Sequence, residues 1–530
     1  MRSVRNTYEI AHTTPHVVVV GAGMGGLSAA VDLAASGARV TLIERAQTVG
    51  GKVRSVEVES RGIDAGPTVI TMKDVFEDLF ACAGDHLEDR LELAPLDILA
   101  RHAWPDGTQF DLFADAGRAE EEVARVFGGD AARGYLRFVA YARGLYQEVE
   151  HPVMRASKPS LLRAAWTIGM RGPASIRRLD WRRTMWSALG EFFPDPRLRQ
   201  LFGRYATYYG SSPFSAPATL NLIAHAEKLG VWTAKGGMRA LAGAVEDLAK
   251  RLHVEIRTAT HVREIRCERG RATGVVLESG ESLEADAVVS NVDPAALSAG
   301  RLGVGATRAG RPMPPRARSL SAMTWCSVAR PAGVDLEYHN VFFSDDYAAE
   351  FEALMGAREV PSEPTVYICA QDRAPSQEVS TGQRERLLLL INAPADGDQA
   401  RFSDHVVNQC RNNATRLLTR CGLELHDEAS VVTTPAQFHE LFPDTGGALY
   451  GAATHRTLAP FSRPTAKTKV RGLYLVGGGV HPGAGVPMVT MGGRIAANEV
   501  RKDLASINGW TPAATSGGIS TSSRTTGATR

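Results

Sequence analysis

Four consecutive valines lead directly into a glycine-rich turn near residue 20, and this junction constrains the possible folds more than any other part of the sequence. Residues 16–30 read HVVVVGAGMGGLSAA. A short run that is apolar throughout is typical of a strand buried on both faces of a parallel sheet. The small residues after the turn predict a helix that ends near Gly37. The junction therefore predicts an α/β fold of the Rossmann type.

Each glycine of this turn meets a different steric demand. Gly21 allows a tight turn, Gly23 lets a pyrophosphate approach the backbone, and Gly26 lets the helix pack closely on the strand. The start of the helix, at Met24 and Gly25, then presents N–H groups and a partial positive charge to a phosphate. These five residues are predicted to bind the cofactor.

A carboxylate at the right distance supports the nucleotide-site interpretation. The second strand, Arg39–Ile43, is followed at once by Glu44, roughly 20 residues beyond the glycines. An acid at the end of this strand can accept hydrogen bonds from an adenosine ribose. A glycine-rich turn alone often exists only for packing, but strand, helix and acid together predict a dinucleotide site. They do not distinguish FAD from NAD.

Composition excludes several other classes of protein. Sixty basic and 58 acidic side chains give a net charge of +2, so no global positive field indicates a nucleic-acid partner. The six cysteines form no C-x-x-C pair, so we expect free thiols and no metal site. No apolar run approaches the ~20 residues that a membrane-spanning helix needs. Any membrane contact is therefore expected at the bilayer surface.

Glycine-punctuated β/α patterns recur in three widely separated stretches of the chain. We expect them to form one discontinuous cofactor domain, and the stretches between them to form a mixed α+β substrate domain that also faces the membrane. The predicted cofactor segments are 16–70, 230–300 and 465–505, and the predicted substrate segments are 71–229 and 301–464. Residues 1–15 are predicted to be a flexible leader. Residues 506–530, rich in Ser, Thr, Gly and Ala, are predicted to be a disordered tail.

A second glycine pair points to the flavin rather than to the nicotinamide cofactor. Gly50, Gly51 and Lys52 resemble the G-G-[RK] element of FAD enzymes related to amine oxidases. Most relatives carry arginine at the third position, and Lys52 keeps the charge but loses the bidentate fork. An ordinary loop is the alternative interpretation. Just beyond it, residues 61–71 (RGIDAGPTVIT) resemble the D-x-G-P-T segment of these enzymes. The resemblance implies that Gly66, Pro67 and Thr68 lie near the flavin entrance.

The C-terminal glycine motif is the most specific signal in the sequence. Residues 472–492 read GLYLVGGGVHPGAGVPMVTMG and resemble the signature of the bacterial phytoene-desaturase family of carotenoid desaturases almost position by position. Val480 departs from the family, which usually has threonine or alanine there. The resemblance implies FAD contacts at Gly478, Gly479, Gly485 and Val486.

A second passage carries the same resemblance. Residues 227–238 (EKLGVWTAKGGM) are similar to the family's G-V-W-x-x-x-G-G-M passage. In this flavoprotein group the strand near 254–267 passes the adenine, which implies a backbone contact from Val262. From the pattern alone, a plain β-meander is an equally good interpretation of this strand.

Two further stretches narrow the family resemblance, which covers about residues 15–505. Residues 199–218 and the WPDG segment at 104–107 look most like the 1-hydroxycarotenoid 3,4-desaturases. The implied protein is an amine-oxidase-like flavoprotein that uses FAD to introduce a C-3,4 double bond into 1-hydroxy or 1-methoxy acyclic carotenoids such as 1-hydroxyneurosporene. Hydride passes to the flavin and a proton is lost, with oxygen or a quinone as electron acceptor. A phytoene or neurosporene desaturase is the alternative.

Few side chains announce themselves as catalysts, as expected where the cofactor carries the chemistry. His481 lies nearest the expected flavin and is the candidate for assisting proton removal. A histidine that fixes its loop through backbone hydrogen bonds is the competing interpretation. Arg204 and Tyr205 are candidate tunnel residues. An apolar channel could be lined by a set of aromatic side chains, namely Phe202, Tyr205, Tyr208, Tyr209 and Phe214, although core packing explains aromatics equally well.

A basic stretch at 155–186 suggests how an insoluble substrate is collected. It carries eight basic residues against one acid, Asp180, with Trp166, Trp181 and Trp186 among them. Cationic side chains with interfacial tryptophans suit an anionic membrane surface. We therefore expect a cytoplasmic protein attached peripherally to the inner or photosynthetic membrane. A solvated face of a helical lid is the alternative.

Other members of the same superfamily remain open as alternatives. An amine oxidase, a protoporphyrinogen oxidase or a retinol-saturase-like enzyme would share the cofactor domain. A non-enzymatic relative such as a Rab GDP-dissociation inhibitor would share the fold while binding lipidated proteins. This non-enzymatic alternative is disfavoured because the cofactor motifs are intact, namely the glycines at 21, 23 and 26 and the segment 477–485.

Overall fold

The computed structural model describes residues 14–157, 170, 172, 175, 178–375, 382–454 and 462–513. Residues 1–13 of the predicted leader, residues 514–530 of the predicted tail and much of the basic stretch lie outside these ranges.

Strands and helices are interspersed along the described chain. The strands are β1 (His16–Val20), β2 (Arg39–Ile43), β3 (Ser55–Val58), β4 (Arg61–Asp64), β5 (Leu93–Pro95), β6 (Ile98–Ala103), β7 (Gln109–Phe113), β8 (Trp232–Ala234), β9 (Glu255–Arg257), β10 (Val262–Glu268), β11 (Arg271–Leu277), β12 (Ser282–Glu284), β13 (Ala287–Ser290), β14 (Ser321–Gly333), β15 (His339–Phe342), β16 (Val366–Ala370), β17 (Glu385–Ala393), β18 (Leu423–Thr433) and β19 (Leu473–Leu475). The α-helices are α1 (Met24–Ala35), α2 (Lys73–Cys82), α3 (Ala116–Phe127), α4 (Gly129–Val149), α5 (Met185–Leu189), α6 (Pro196–Gly203), α7 (Leu222–Lys228), α8 (Gly237–Arg251), α9 (Pro294–Ser298), α10 (Tyr347–Phe351), α11 (Asp404–Arg420), α12 (Pro435–Leu441) and α13 (Val486–Asn508).

A five-stranded parallel sheet in the order β19-β13-β1-β2-β9 collects strands from all three glycine-punctuated stretches. The all-valine sequence of β1 follows from its central place in this sheet, where Val17, Val18 and Val19 are 0% exposed. Val17 and Val19 pack with side chains of α1 and α13, whereas Val18 and Val20 pack with those of β10 and β11. Both faces of the strand are therefore covered, and no position on it calls for a polar residue.

A seven-stranded mixed sheet in the order β18-β14-β17-β16-β15-β6-β7 forms the second large layer. One face packs against α11, and Trp325 and Leu389 meet Leu417 there. The opposite face carries Cys326 and Val328 into the core shared with the helices before residue 230. Its strands come from residues before and after the middle cofactor segment. The sheet forms one wall of a small cavity that Arg204 also lines.

The predicted domain boundaries remain a proposal, and the structure adds detail at three of them. Strand β8 pairs with β5, so the chain crosses between the predicted domains at residues 230–234. Helix α2 packs against α1 and α13, although the predicted cofactor segment stops at residue 70. At the C-terminus, Trp510 is 8% exposed and the Ala513 amide donates to the Ser36 carbonyl. Residues past the predicted start of the tail at 506 therefore contact the cofactor segments as far as residue 513.

Among the described residues, no helix combines the length and the hydropathy required to traverse a bilayer.

Candidate FAD site

The turn between β1 and α1 is closed by backbone contacts that only glycine permits. Gly21 has a φ of +97°. Its amide donates to the Ile43 carbonyl at 2.7 Å, which ties the turn to the end of β2. A Cβ on Gly26 would lie 2.0 Å from the Gly21 carbonyl oxygen, so the first turn of α1 can pack on the strand only without a side chain there. The amides of Met24 and Gly25, in that first turn, have no acceptor within the helix and are available to an anion.

Asn291, which the sequence analysis did not identify, lies at the centre of this turn. Its Oδ1 accepts a hydrogen bond from the Gly26 amide at 2.9 Å, and its Nδ2 donates to the Val476 carbonyl at 3.2 Å. A Cβ on Gly23 would lie 2.8 Å from the same Oδ1. One side chain thus joins the first turn of α1 to the ends of β13 and β19. Its position directly after β13, at the carboxyl edge of a parallel sheet, is the signal that could have found it.

Glu44 is held at the end of β2 by backbone amides. Its Oε2 accepts from the Ala22 amide at 2.7 Å and its Oε1 from the Ala46 amide at 2.9 Å. The Thr260 amide donates to the Glu44 carbonyl at 2.9 Å, which brings the start of β10 and the buried Val262 to the same place. The carboxylate and this strand therefore meet where the family resemblance puts the adenosine. Their contacts with it remain predictions.

The second glycine pair lies directly against the first turn. Gly50 forms a parallel bridge with Gly23, and its amide donates to the Ala22 carbonyl at 2.8 Å. A Cβ on Gly51, whose φ is +60°, would lie 3.0 Å from the Gly23 Cα. Two motifs separated in sequence thus form one glycine-lined surface at the N-terminus of α1.

Lys52 binds protein groups in this structure. Its Nζ donates to the Leu449 carbonyl at 2.6 Å and lies 5.0 Å from the centroid of the Phe442 ring. Burial lowers the pKa of this ammonium group. Its predicted contact with the cofactor remains a prediction. A second buried cation, Arg463, was missed: its Nη1 donates to the Gly478 carbonyl at 2.6 Å and so reaches the C-terminal glycine motif.

The D-x-G-P-T segment has a structural role of its own. A Cβ on Gly66 would lie 1.9 Å from the Lys52 carbonyl oxygen, so the protein itself requires this glycine. Asp64 accepts a hydrogen bond from the Met238 amide at 2.5 Å, which caps the start of α8. This cap therefore joins the segment 61–71 to the passage 227–238, both of which resemble the family. Pro67 and Thr68 lie further along the first of these segments, and the Thr68 hydroxyl lies 2.7 Å from the Tyr367 hydroxyl.

The C-terminal motif provides the second helix N-terminus of the site. Gly485, with a φ of +111°, precedes α13, and Val486 is its first residue. A Cβ on Gly479 would lie 3.0 Å from the Asp293 Oδ2, so this glycine packs directly against Asp293. Gly478 differs, because a Cβ there would meet only Ala484 atoms at 3.7 Å, an ordinary contact distance. Packing within the protein does not require glycine at 478, and its predicted contact with FAD remains a prediction.

These observations fit FAD. Two helix N-termini, the available amides of Met24 and Gly25, the double glycine surface and the Glu44 carboxylate lie along the carboxyl edge of one parallel sheet. This edge is where open α/β sheets bind dinucleotides.

His481 is fixed by the backbone. Its Nε2 lies 2.9 Å from the Ala156 carbonyl oxygen, so this nitrogen carries a hydrogen and donates it. Burial lowers the pKa of the imidazole to about 4, despite the opposing effect of that hydrogen bond. The geometry is that of a loop-fixing histidine, the competing interpretation above. A catalytic role for His481 remains a prediction.

Of the candidate tunnel residues, Arg204, Tyr205 and Tyr208 line a cavity beside β6, β15 and β16. Phe202 and Tyr205 are buried, whereas Tyr208, Tyr209 and Phe214 are half-buried. Tyr205 and Tyr208 both donate to Glu227, the latter at 2.9 Å. Glu227 is a buried carboxylate that the sequence analysis did not single out, and burial raises its pKa.

The basic stretch is only partly described, and Lys158, Arg163, Trp166, Arg171 and Arg177 lie outside the described residues. Within the described part, Arg155 pairs with Asp74 and Glu150, and Arg178 pairs with Glu148. Arg183 pairs with Asp180 and Glu191. Acids from outside the stretch therefore offset part of the charge that the sequence alone suggests.

Two tryptophans of this stretch lie in different surroundings. Trp186 packs against Phe214 inside the fold. Trp181 is 43% exposed, and the Arg182 guanidinium lies 5.1 Å from its ring centroid. Of the two, Trp181 is the one available to a membrane surface.

Comparison with known proteins identifies a family and several relatives. Residues 24–501 match the model of the flavin-containing amine oxidoreductase family. The chain is 45% identical to the hydroxyneurosporene desaturase of Rubrivivax gelatinosus, over 97% of this chain and 98% of that one. It is 44% identical to the hydroxyneurosporene desaturase of Cereibacter sphaeroides, over 93% and 98%. A more distant relative, the 4,4'-diapolycopene oxygenase of a Methylomonas species, is 31% identical over 92% and 98%.

Solved structures share the fold. A putrescine oxidase bound to putrescine has a TM-score of 0.58 at 15% identity, covering 93% of this chain and 99% of its own. An oxidoreductase from Methanosarcina mazei has a TM-score of 0.55 at 15% identity, covering 92% and 100%.

Proposed function

Because the chain belongs to the flavin-containing amine oxidoreductase family, and within it to the carotenoid desaturases, we propose that it introduces a C-3,4 double bond into 1-hydroxy acyclic carotenoids such as 1-hydroxyneurosporene. It is an oxidoreductase with FAD as its cofactor. The near-full-length similarity to two hydroxyneurosporene desaturases carries the proposal. A 1-methoxy carotenoid is the second candidate substrate.

The reaction removes a hydride and a proton from adjacent carbons beside a polyene, which delocalises the positive charge that develops. FAD, when bound, takes up the hydride. The chain's own residues orient the reacting bond and exclude water. The buried aromatic side chains at 202 and 205, and the sheet behind them, supply an apolar surface for the polyene. Oxygen or a quinone is proposed as the final electron acceptor.

Product analysis tests the function. The purified protein would be reconstituted with FAD and liposomes and supplied separately with 1-hydroxyneurosporene and phytoene. We expect a red-shifted product from the hydroxylated substrate alone, because each added conjugated double bond lowers the excitation energy. Parallel reactions without oxygen, and with an added quinone, identify the acceptor. Conversion of phytoene instead would keep the family and refute the 3,4-desaturase proposal.

We further propose cytoplasmic, peripheral attachment to the inner or photosynthetic membrane, since a C40 polyene is nearly insoluble. The described surface that supports this includes Met170, which is 71% exposed, together with Trp181 and Arg182. Exposed apolar side chains, together with an indole that is in contact with a guanidinium, are suited to an anionic interface.

Cosedimentation with anionic liposomes tests the attachment. Replacing Trp181 and Arg182 by serine together is expected to weaken binding about tenfold, since a basic residue near such a surface contributes about 1 kcal/mol and the indole adds apolar burial. Arg133→Ser, an exposed arginine on α4, serves as the matched control and should bind as the wild type does. Equal binding by all three proteins would refute this attachment surface.

A further inference from the structure

A small cavity between the seven-stranded sheet and the 3₁₀ turn Arg204–Tyr209 combines apolar walls with a few buried polar groups. Its volume is about 10 Å³, room for about one water-sized group. Val69, Leu99, Leu201 and Val231 supply apolar wall, and Arg204 and His339 also line it. The cavity thus offers polar atoms to a single small group within an apolar surface.

His339, which lines this cavity, carries an unsatisfied ring nitrogen. Its side chain is on β15, the residue is 3% exposed, and its Nδ1 lies 2.7 Å from the Tyr367 hydroxyl. Its Nε2 is buried and has no hydrogen-bond partner among the residues that the structure describes. Burial and the nearby Arg204 lower the pKa of the imidazole to about 3, so the ring is neutral. One ring nitrogen therefore donates and the other accepts.

Arg204 supplies a second unsatisfied group. Its Nη2 donates to the Tyr208 hydroxyl at 3.1 Å, and its guanidinium lies 5.8 Å from the centroid of the Tyr367 ring. Its Nε is buried without a partner in the described part of the chain. Its charge is balanced by Glu227, to which Tyr205 and Tyr208 both donate. The two tyrosine hydroxyls are therefore already engaged as donors, and the His339 and Arg204 nitrogens are left for a ligand.

The chemistry of these nitrogens selects an alcohol. A hydroxyl group both donates and accepts, so it satisfies His339 Nε2 in either tautomer while it accepts from the Arg204 Nε–H. A carboxylate or an ammonium group would bring a net charge into an apolar cavity. A methoxy oxygen cannot donate a hydrogen bond, so it cannot satisfy His339 Nε2 when that nitrogen is the acceptor. A hydroxyl is the group whose hydrogen bonding suits both nitrogens.

The cavity adjoins the segment that the family resemblance puts at the flavin entrance, since Val69 lines it. In a 1-hydroxy carotenoid the oxygen is on C1, only two carbons from C3, so its binding group must lie close to the reacting bond. His339 is linked through Tyr367 to the Thr68 hydroxyl, with 2.7 Å in each step. Thr68 belongs to the segment that the family resemblance puts at the flavin entrance. The hydrogen-bonded chain therefore connects His339 with the segment expected at the flavin entrance.

We propose that His339 and Arg204 bind the C1 hydroxyl of the substrate and thereby determine its selection over the same polyene without a hydroxyl. This inference rests on the proposed function, since it names the group that such a desaturase recognises. A carotenoid without the hydroxyl would leave both buried nitrogens unpaired. A site built to hydrogen-bond a hydroxyl strongly rejects an analogue that lacks this group.

Comparison of 1-hydroxyneurosporene with neurosporene tests this selection in the FAD-reconstituted protein. For His339→Leu, kcat/KM with the hydroxylated substrate is expected to fall about 100-fold, while the value for neurosporene changes less than about threefold. In His339→Gln, kcat/KM with the hydroxylated substrate should be at least about tenfold higher than in His339→Leu, since the glutamine amide can reach the position of Nε2. FAD content, read from flavin absorbance, should equal that of the wild type.

His102→Leu is the matched control. His102 is a second buried neutral histidine on the same cavity, on the neighbouring strand β6, but its Nδ1 faces the Phe110 carbonyl at 3.3 Å. The His102→Leu substitution should change kcat/KM for 1-hydroxyneurosporene and for neurosporene by the same factor. Equal loss of preference in His102→Leu and His339→Leu, or an unchanged preference in His339→Leu, would overturn the inference.

A binding measurement separates this inference from the proposed function. The visible absorption shift on binding each carotenoid gives an affinity that needs no turnover. Wild-type protein should bind 1-hydroxyneurosporene more tightly than neurosporene, and His339→Leu should bind them equally. If the wild type binds the hydroxylated carotenoid selectively but does not desaturate it, the proposed function fails and the hydroxyl site stands. If the wild type desaturates the hydroxylated carotenoid but does not bind it selectively, the proposed function stands and the hydroxyl site fails.

Discussion

Gly26→Ala is expected to produce a protein that has lost its FAD. The new Cβ would lie 2.0 Å from the Gly21 carbonyl oxygen, a backbone atom that cannot rotate away. Helix α1 must therefore move off the turn, and with it the amides of Met24 and Gly25. We expect at least about a tenfold loss of FAD affinity and a destabilisation of about 1–3 kcal/mol, typical of overpacking. Flavin absorbance after gel filtration measures the first effect, and urea unfolding the second.

Gly243→Ala is the matched control for this variant. Gly243 lies in helix α8, and an added Cβ there would meet nothing within 4 Å. Because alanine is favoured over glycine inside a helix by about 1 kcal/mol, this variant should keep its FAD and be slightly more stable. Normal FAD affinity in Gly26→Ala would mean that the turn tolerates the shift, and the steric explanation would be wrong.

Asp32→Ala is expected to cause the largest loss of stability. Asp32 and Arg494, whose side chains are 3% and 5% exposed, form a salt bridge at 3.1 Å that joins α1 to α13. Arg501 binds the same carboxylate. Removal of the acid leaves the buried Arg494 and the half-buried Arg501 with a much reduced countercharge, which costs about 3–5 kcal/mol for a buried pair. The midpoint of urea unfolding, measured with and without added FAD, reports this change.

The control for this prediction is an exposed pair. Asp130 and Arg133 form a salt bridge on α4 with side chains that are 85% and 73% exposed. Asp130→Ala should change stability by less than about 1 kcal/mol, because water and salt screen such pairs. An equally small effect of Asp32→Ala would show that the buried pair adds little to the joint between the two helices.

Local patterns were sufficient to predict the first elements of the fold. The strand His16–Val20 and the helix from Met24 to Ala35 occur where the valine run and the small residues indicate them. The family and its cofactor were also predicted correctly from the glycine motifs. The resemblance to hydroxycarotenoid desaturases is matched by relatives of that name. The individual cofactor contacts, the domain boundaries and the catalytic role of His481 remain predictions.

Other residues escaped sequence analysis because their partners are distant along the chain. Asn291 bonds to Gly26 and Val476, and Arg463 bonds to Gly478. Single asparagines and arginines outside a motif carry no periodic signal. The basic stretch illustrates the opposite error, since its sequence shows one acid but its described arginines also find carboxylates at Asp74, Glu148 and Glu150.

By itself, the sequence determined the parallel α/β core, the glycine turns and the flavoprotein family, because these depend on the sizes and polarities of neighbouring residues. Only the tertiary structure decided that His339, Tyr367 and Thr68 form one hydrogen-bonded chain. Only the fold brings Arg204 to the same cavity. The physical reason is that hydrogen bonding and burial of a polar atom depend on distances set by the packing of whole sheets and helices, and no local pattern encodes those distances.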